Sequence, residues 1–162
     1  EWSPITVPIY AVLEGLALGG ISSIFETNAY AGIVQQAIFL TFGIFFTLLL
    51  AYKSKLIKPT ENFKLGVTAA TGGIAIVYVV NMFMPGGAGI ITDTGLMGIG
   101  FSLFVVVIAS LNLVMDFDYI EDAAESGAPK YMEWYGAFGL LVTLVWLYLE
   151  ILRLLAKLNG RN

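Results

Sequence analysis

The sequence predicts an all-α, polytopic transmembrane helical bundle, and three observations carry that prediction. Five long apolar runs fill most of the 162 residues, the charges gather in the gaps between them, and the stretches 38–50 and 101–111 are apolar on every side. A soluble helix keeps an apolar stripe and a polar face, so all-round apolarity indicates surroundings that are apolar all round. About 20 such residues, rising ~1.5 Å each, span ~30 Å of hydrocarbon. No soluble domain, linker or low-complexity segment stands out, and residues 1–162 form a single transmembrane domain.

The first span, 4–25, has no basic segment before it and no small-residue cleavage site after Ser23, so it is a true span and not a signal peptide. It carries Glu14 near its middle and a GxxxG at Gly15 and Gly19. The second span, 31–52, is apolar apart from Gln35 and Gln36 near its start, and a loop bearing Lys53, Lys55, Lys58 and Lys64 follows. The positive-inside rule places that loop in the cytoplasm, together with the N-terminus. The third span, 65–84, presents Gly66, Ala69, Ala70, Gly72 and Gly73 on a nearly bare face. Small residues let helix backbones approach closely in lipid, so this face and the GxxxG are expected to be packing surfaces.

The loop at 85–93, with Gly86, Gly87 and Gly89, lies outside and leads to the fourth span, 95–115. Ser102, Ser110 and Asn112 on this span, like Gln35, Gln36 and Asn81 elsewhere, are expected to make interhelical hydrogen bonds. An acidic loop, 116–130, returns to the cytoplasm before the fifth span, 131–158. A fifth crossing leaves Arg153, Lys157 and Arg161 outside, against the positive-inside rule. Crossing is expected over re-entry, because the four lysines of the central loop outweigh three late charges.

Composition removes several chemistries. With no cysteine and no histidine there is no disulfide, no thiolate or imidazole metal site, no Cys or His nucleophile system and no histidine pH switch. A net charge of −4 with only eight Lys and Arg offers no basic groove for nucleic acid. An intramembrane enzyme is not expected, for there is no GxSxG motif and no paired aspartates on two spans. No cofactor is called for, and proton chemistry has only carboxylates to run on.

An ionisable group at membrane depth costs several kcal/mol unless it is paired or hydrated, which makes each one a functional candidate. Glu14 is the acid of the first span, interior or lining a path. Glu150 has Arg153 one turn later, an i,i+3 arrangement that suits an ion pair. Glu133 sits at an interface beside Trp134 and Tyr135. Asp116 and Asp118 open a run completed by Glu121, Asp122 and Glu125, against one base at Lys130, and this predicts an electronegative mouth attractive to hard cations. An EF-hand is excluded and no metal site is assigned, since loop position six would be Glu121 in place of glycine and position twelve Gly127 in place of glutamate.

The stretch MDFDYIEDAAESGAPKYMEW, followed by WLYLEILRLL, resembles the end of the transmembrane Bax inhibitor motif family in its bacterial YccA-type branch. PIYAVLEGLALGGISSIFE, the apolar second span, the lysine-rich loop ending in FKLGV, TAATGG in the third span and GIGFSLFVVVIASLNLV in the fourth follow in the family's order, so the resemblance covers the whole chain. It implies a bundle whose last helix is surrounded by the others. The five spans would be the C-terminal part of a seven-helix fold, in a bacterial inner membrane. It further implies a pH-sensitive leak of calcium ions through the lipid bilayer, sensed by an acid on each of the last two helices that together share a proton.

Carried over by motif, the sensing residues are Asp116 and Glu150; the acidic run itself supplies Asp118, Glu121 and Asp122 as the cation mouth. The chain departs from the pattern in having glutamate for aspartate at Glu150 and a longer separation between the two acids. If the last helix runs unbroken from Tyr131, Glu150 stands ~28 Å along it and direct pairing with Asp116 fails. Glu133 is then the geometric substitute, unless the segment after Tyr131 lies along the surface before turning in. Two carboxylates sharing one proton form a latch that turns into two repelling anions on ionisation. The competing reading is a non-transporting membrane protein that binds and regulates other membrane proteins through its small-residue faces and acidic segment.

Overall fold

The computed structural model describes residues 2–27, 32–84 and 95–161. Within them the chain forms five helices, α1 Ser3–Thr27, α2 Ile33–Lys53, α3 Glu61–Phe83, α4 Leu96–Glu125 and α5 Met132–Arg161. All five are long and apolar enough to cross a membrane, and the described residues contain no strand. The loop expected at 85–93 lies outside the described residues, and so does most of the short stretch between the first two spans.

The helix ends follow from local chemistry. Thr60 caps α3 by accepting the Phe63 N–H at 3.2 Å, with Glu61 in the first turn where the helix dipole favours an anion. At the end of α4, Gly127 takes φ 72° while its N–H reaches Ala124 O and the Ala128 N–H reaches Ala123 O, a Schellman ending that suits glycine. The same ending closes α2, where Lys55 at φ 64° donates to Tyr52 O and Leu56 to Ala51 O. There a lysine side chain occupies the left-handed position.

Two boundaries differ from the sequence reading. The acidic stretch expected as a loop from 116 is the last third of α4, because no glycine or proline interrupts the helix before Gly127. Thirty residues at ~1.5 Å make ~45 Å, enough to pass through hydrocarbon and headgroups together. The last helix is unbroken from Met132 to Arg161, which rules out a surface-lying segment before Glu150.

Helix α5 is the centre of the bundle, packed against α1, α2 and α4, and α3 lies on the outer side of α4. The main core joins Ile33 and Ala37 of α2, Leu113 and Phe117 of α4, and Leu147 and Leu152 of α5. A second core joins Ile74 of α3 to Val105 and Ile108 of α4. α1 meets α5 through Tyr10 against Phe138, ring centres 4.9 Å apart, and through a Ser22–Tyr148 hydroxyl pair at 2.7 Å.

The small-residue faces do not form the seams expected of them. A Cβ built on Gly15, Gly19, Gly66, Gly72 or Gly73 would meet nothing within 4 Å. Gly15 and Gly19 instead border an apolar cavity of about 490 Å³ between α1, α2 and α5. α3 turns its Ala70, Ile74 and Tyr78 side toward α4, so of the small-residue face only Ala70 packs while Gly66, Ala69, Gly72 and Gly73 are left exposed. Gly136 on α5 is tight: a Cβ there would lie 3.0 Å from Ile120 Cγ1 of α4.

Candidate functional site

Polar groups inside this bundle are few, and most of those bonded between helices fall on α3, α4 and α5. Residues spaced seven apart stay on nearly one face of a helix, drifting by only ~20°. Lys64, Thr71 and Tyr78 make such a row on α3, and Thr143, Glu150 and Lys157 make another on the central α5. The two rows meet their partners, on α4 or on each other, in steps along the membrane normal.

The first step lies where α2 and α4 end and α3 begins. Lys64 Nζ is 2.6 Å from Asp118 Oδ2, and the Tyr52 hydroxyl stands 3.3 Å from Asp118 Oδ1 and against Glu121. Asp118 and Glu121 border a crevice of about 590 Å³ with Lys53, Lys55 and Lys58. The electronegative mouth expected from Asp118, Glu121 and Asp122 is therefore a mouth of mixed charge, because the lysine-rich turn folds over the end of α4. Asp122 is exposed, and among the described residues no three carboxylates gather as a metal-binding group.

One step deeper, Asn112 of α4 donates to Thr71 Oγ1 of α3 at 2.9 Å and to Ile108 O of its own helix at 2.9 Å. This is the interhelical bond expected of Asn112. Ser110, by contrast, turns back to Val106 O at 2.8 Å. Asp116 sits on the α5 side, in a crevice of about 420 Å³ bordered by Asn112, Tyr135, Gly136, Gly139 and Thr143. Thr143, whose hydroxyl donates to Gly139 O at 3.1 Å, borders the same crevice. Asp116 Oδ2 is buried and has no hydrogen-bond partner among the described residues.

Glu150 is 3 % exposed and faces a different set of groups. Its Oε1 accepts the Tyr78 hydroxyl of α3 at 2.5 Å and lies 3.3 Å from Arg153 Nη1. Arg153 Nη1 also donates to the Tyr78 oxygen at 2.8 Å, with its guanidinium carbon 5.3 Å from the centre of that ring. Glu150 Oε2, like Asp116 Oδ2, is buried without a partner. The local pair with Arg153 expected from the i,i+3 spacing is present; Tyr78 was not foreseen.

The structure does not bring Asp116 and Glu150 together. Asp116 neighbours Thr143, and Glu150 stands seven residues, ~10 Å, further along α5. The unbroken α5 is the reason, and the long separation of the two acids in sequence is its mark. Glu133 does not take the place of Glu150: it is exposed and borders a separate crevice with Tyr119, Ala123 and Lys130. Glu14 is half-buried beside Tyr10, on the side of α1 that meets α5.

The last step is at the opposite end from the acids. Lys157 of α5 is only 4 % exposed, and its Nζ donates to Ser102 Oγ at 2.7 Å and to Gly98 O at 3.2 Å, both in the opening turns of α4. Lys157 was read in sequence as one of three terminal charges. Its burial is visible only once α5 is known to continue past α4's first turns.

Among known proteins, the family model described as Bax inhibitor 1 like matches residues 1–160. No curated protein and no solved structure matches the chain.

Proposed function

The chain belongs to the Bax inhibitor 1 like family, and from that premise we propose that this integral membrane protein is a pH-sensitive leak for calcium or similar cations, gated at its last two helices. The observation that supports this most is the pair of buried carboxyl oxygens without partners, Asp116 Oδ2 on α4 and Glu150 Oε2 on α5. A buried polar group left unpaired is costly, and such groups concentrate where a proton or an ion is handled.

The two acids have different parts in this reading. Asp116 is the proton site. Protonated, it donates to Thr143 Oγ1 and holds α4 against α5; ionised, it requires water or a cation in the crevice it borders, and the two helices part. Glu150 is held by Arg153 and Tyr78 as the fixed anion deeper in the path. Asp118, Glu121 and Asp122 line the approach, with Lys64 as the counter-charge that a permeating cation displaces. We place the lysine-bearing end in the cytoplasm of a bacterial cell by the positive-inside rule. The protein acts as a passage and not as an enzyme.

The test is calcium flux into liposomes carrying the purified chain, from about pH 5 to 8, the window in which desolvated carboxyls titrate. Flux is expected to rise with pH as Asp116 loses its proton. Asp116→Asn mimics the protonated state and should give low flux with no pH dependence. Glu150→Gln should lower flux at every pH and leave the pH profile in place. A folded chain that moves no calcium at any pH sinks this reading in favour of a non-transporting partner of other membrane proteins.

A further inference from the structure

On the side of α5 away from α3, the cavity of about 490 Å³ is walled by Gly15 to Ser22 of α1, Val34 to Thr41 of α2 and Leu141 to Tyr148 of α5. Each wall covers seven residues, so the three run together for ~10 Å. A second lobe of about 420 Å³ shares Gly19, Ser22, Val34 and Ile38 with the first and continues to Ser23 and Gln35 near the start of α2. Polarity therefore rises along the cavity in one direction: its inner lobe is walled almost wholly by hydrocarbon, and its outer end gathers hydroxyl and amide groups. No charged residue borders either lobe.

Ser22 and Tyr148, which stand where the inner lobe gives way to the polar end, face each other at 2.7 Å between oxygens, and Tyr148 is only 8 % exposed. Two hydroxyls carry two protons, and the bond between them uses one; the other has no acceptor among the described residues. A buried donor left unpaired is costly, so this place calls for an acceptor from outside the chain. Ser22 lies five residues, ~7 Å, before the end of α1, and the polar layer of a bilayer is ~5–8 Å thick on each side of the hydrocarbon. The hydroxyl pair thus stands at the boundary where the ester carbonyls of glycerolipids lie. At ~30 Å³ for a group the size of a water molecule, the inner lobe takes on the order of sixteen methylene-sized groups, comparable with one lipid acyl chain.

We propose that this cavity binds one acyl chain of a glycerophospholipid, with the chain in the inner lobe and its ester carbonyl accepting the spare proton of the Ser22–Tyr148 pair. An ester is neutral, as the walls are; the carboxylate of a free fatty acid would meet no cation there. The chain lies against the central helix and sets how closely α1 and α2 close on it. The site is separate from the leak reading, for none of its residues belongs to the acid-bearing seam of α3, α4 and α5.

The experiment is photolabelling of the full chain in phosphatidylcholine bilayers that contain a trace of phosphatidylcholine with a diazirine midway along one ester-linked chain, followed by mapping of the labelled residues. Label is expected on Leu141, Leu144 and Val145 of the central helix, beside the label that exposed residues such as Ile76 and Leu103 take from bulk lipid. Gly19→Leu fills the inner lobe from a position where a Cβ meets nothing within 4 Å. It should lower the α5 label several-fold and leave Ile76 and Leu103 as they were. In bilayers of ether-linked phosphatidylcholine, which lacks the carbonyl, the probe meets weaker competition, and the α5 label relative to Ile76 should rise several-fold. With Ser22→Ala and Tyr148→Phe combined, the choice of host lipid should make no difference. Palmitate added in excess over the probe should leave the α5 label in place. No α5 label in the parent, or a folded Gly19→Leu chain labelled as strongly, means that the cavity holds no lipid chain. Equal α5 label in ester and ether bilayers overturns the carbonyl contact, and displacement by palmitate overturns the ester in favour of a free acid. The comparison of host lipids needs no variant, so it decides the matter even if Gly19→Leu does not fold.

Discussion

Tyr78 of α3 donates its hydroxyl proton to Glu150 of α5 at 2.5 Å, although the backbones of those two helices nowhere approach each other. The phenol reaches past α4, and Arg153 closes the triangle by donating to the Tyr78 oxygen and to Glu150 Oε1. This side-chain bridge ties the outermost helix to the central one. Removing it should have effects that no α3–α4 contact predicts.

Tyr78→Phe keeps the ring over which Arg153 lies and deletes only the hydroxyl. Interhelical hydrogen bonds in membranes average ~0.6 kcal/mol and reach ~1.7. The upper end is expected here, because a buried carboxylate is the acceptor. Unfolding in detergent should show a loss of about 1 to 2 kcal/mol, and combining Tyr78→Phe with Glu150→Gln should cost less than the sum of the two. Additive losses would mean that the bond contributes nothing of its own.

The Lys64–Asp118 pair, although shorter at 2.6 Å, is expected to matter far less for stability. The Lys64 side chain is 32 % exposed at the mouth, where water and salt screen the attraction and long side chains lose freedom on pairing. Asp118→Asn should leave the unfolding midpoint almost unchanged at ordinary salt. A clear destabilisation that persists in high salt would contradict this.

Lys55 carries its side chain at φ 64°, in the left-handed position that closes α2. A residue with a Cβ is strained there by roughly 1–2 kcal/mol relative to glycine, and glycine is the usual occupant of such endings. Lys55→Gly is therefore expected to stabilise the protein, by about 1 kcal/mol once the entropy of the more flexible unfolded chain is subtracted. Thermal unfolding of the two proteins side by side reads this directly, and a drop in midpoint would show that the lysine side chain has a role the backbone argument misses.

The five spans were legible because apolar runs of twenty or more residues have almost no other meaning. Their ends were not. The acids from Asp116 to Glu125 looked like a loop by charge alone, and only the absence of a breaker before Gly127 keeps them helical. GxxxG at Gly15 and Gly19 suggested a seam, but bare positions permit close approach without compelling it, and here they border a cavity. The central place of α5 followed from the family resemblance, and the packing agrees. Tyr78 and Lys157 escaped notice for one reason: a tyrosine counts as apolar and a lysine near the C-terminus as solvated. Polar residues seven apart, at Lys64, Thr71 and Tyr78 and again at Thr143, Glu150 and Lys157, were the available signal.

Gly136 is a tight point of the central helix. A Cβ there would stand 3.0 Å from Ile120 Cγ1 and 3.6 Å from Ile120 Cδ1, so α4 and α5 meet at this level through one bare Cα and one β-branched side chain. Gly136→Ala asks Ile120 Cγ1 to yield a few tenths of an ångström against a stiff χ1, and the roughly 1 kcal/mol of helix propensity gained by alanine offsets that cost. A near-neutral change in stability follows. Gly136→Leu adds a branched chain to the same contact and pries α4 from α5, at about 1 to 3 kcal/mol as overpacking usually costs. Because Gly136 also borders the crevice that holds Asp116, the larger substitution should disturb the pH profile of flux as well as stability, while Gly136→Ala disturbs neither. Ile120→Ala should relieve the leucine variant, since it vacates the atoms the new side chain strikes. Failure of that rescue in a double-mutant cycle would mean that the helices are held apart by something other than this contact.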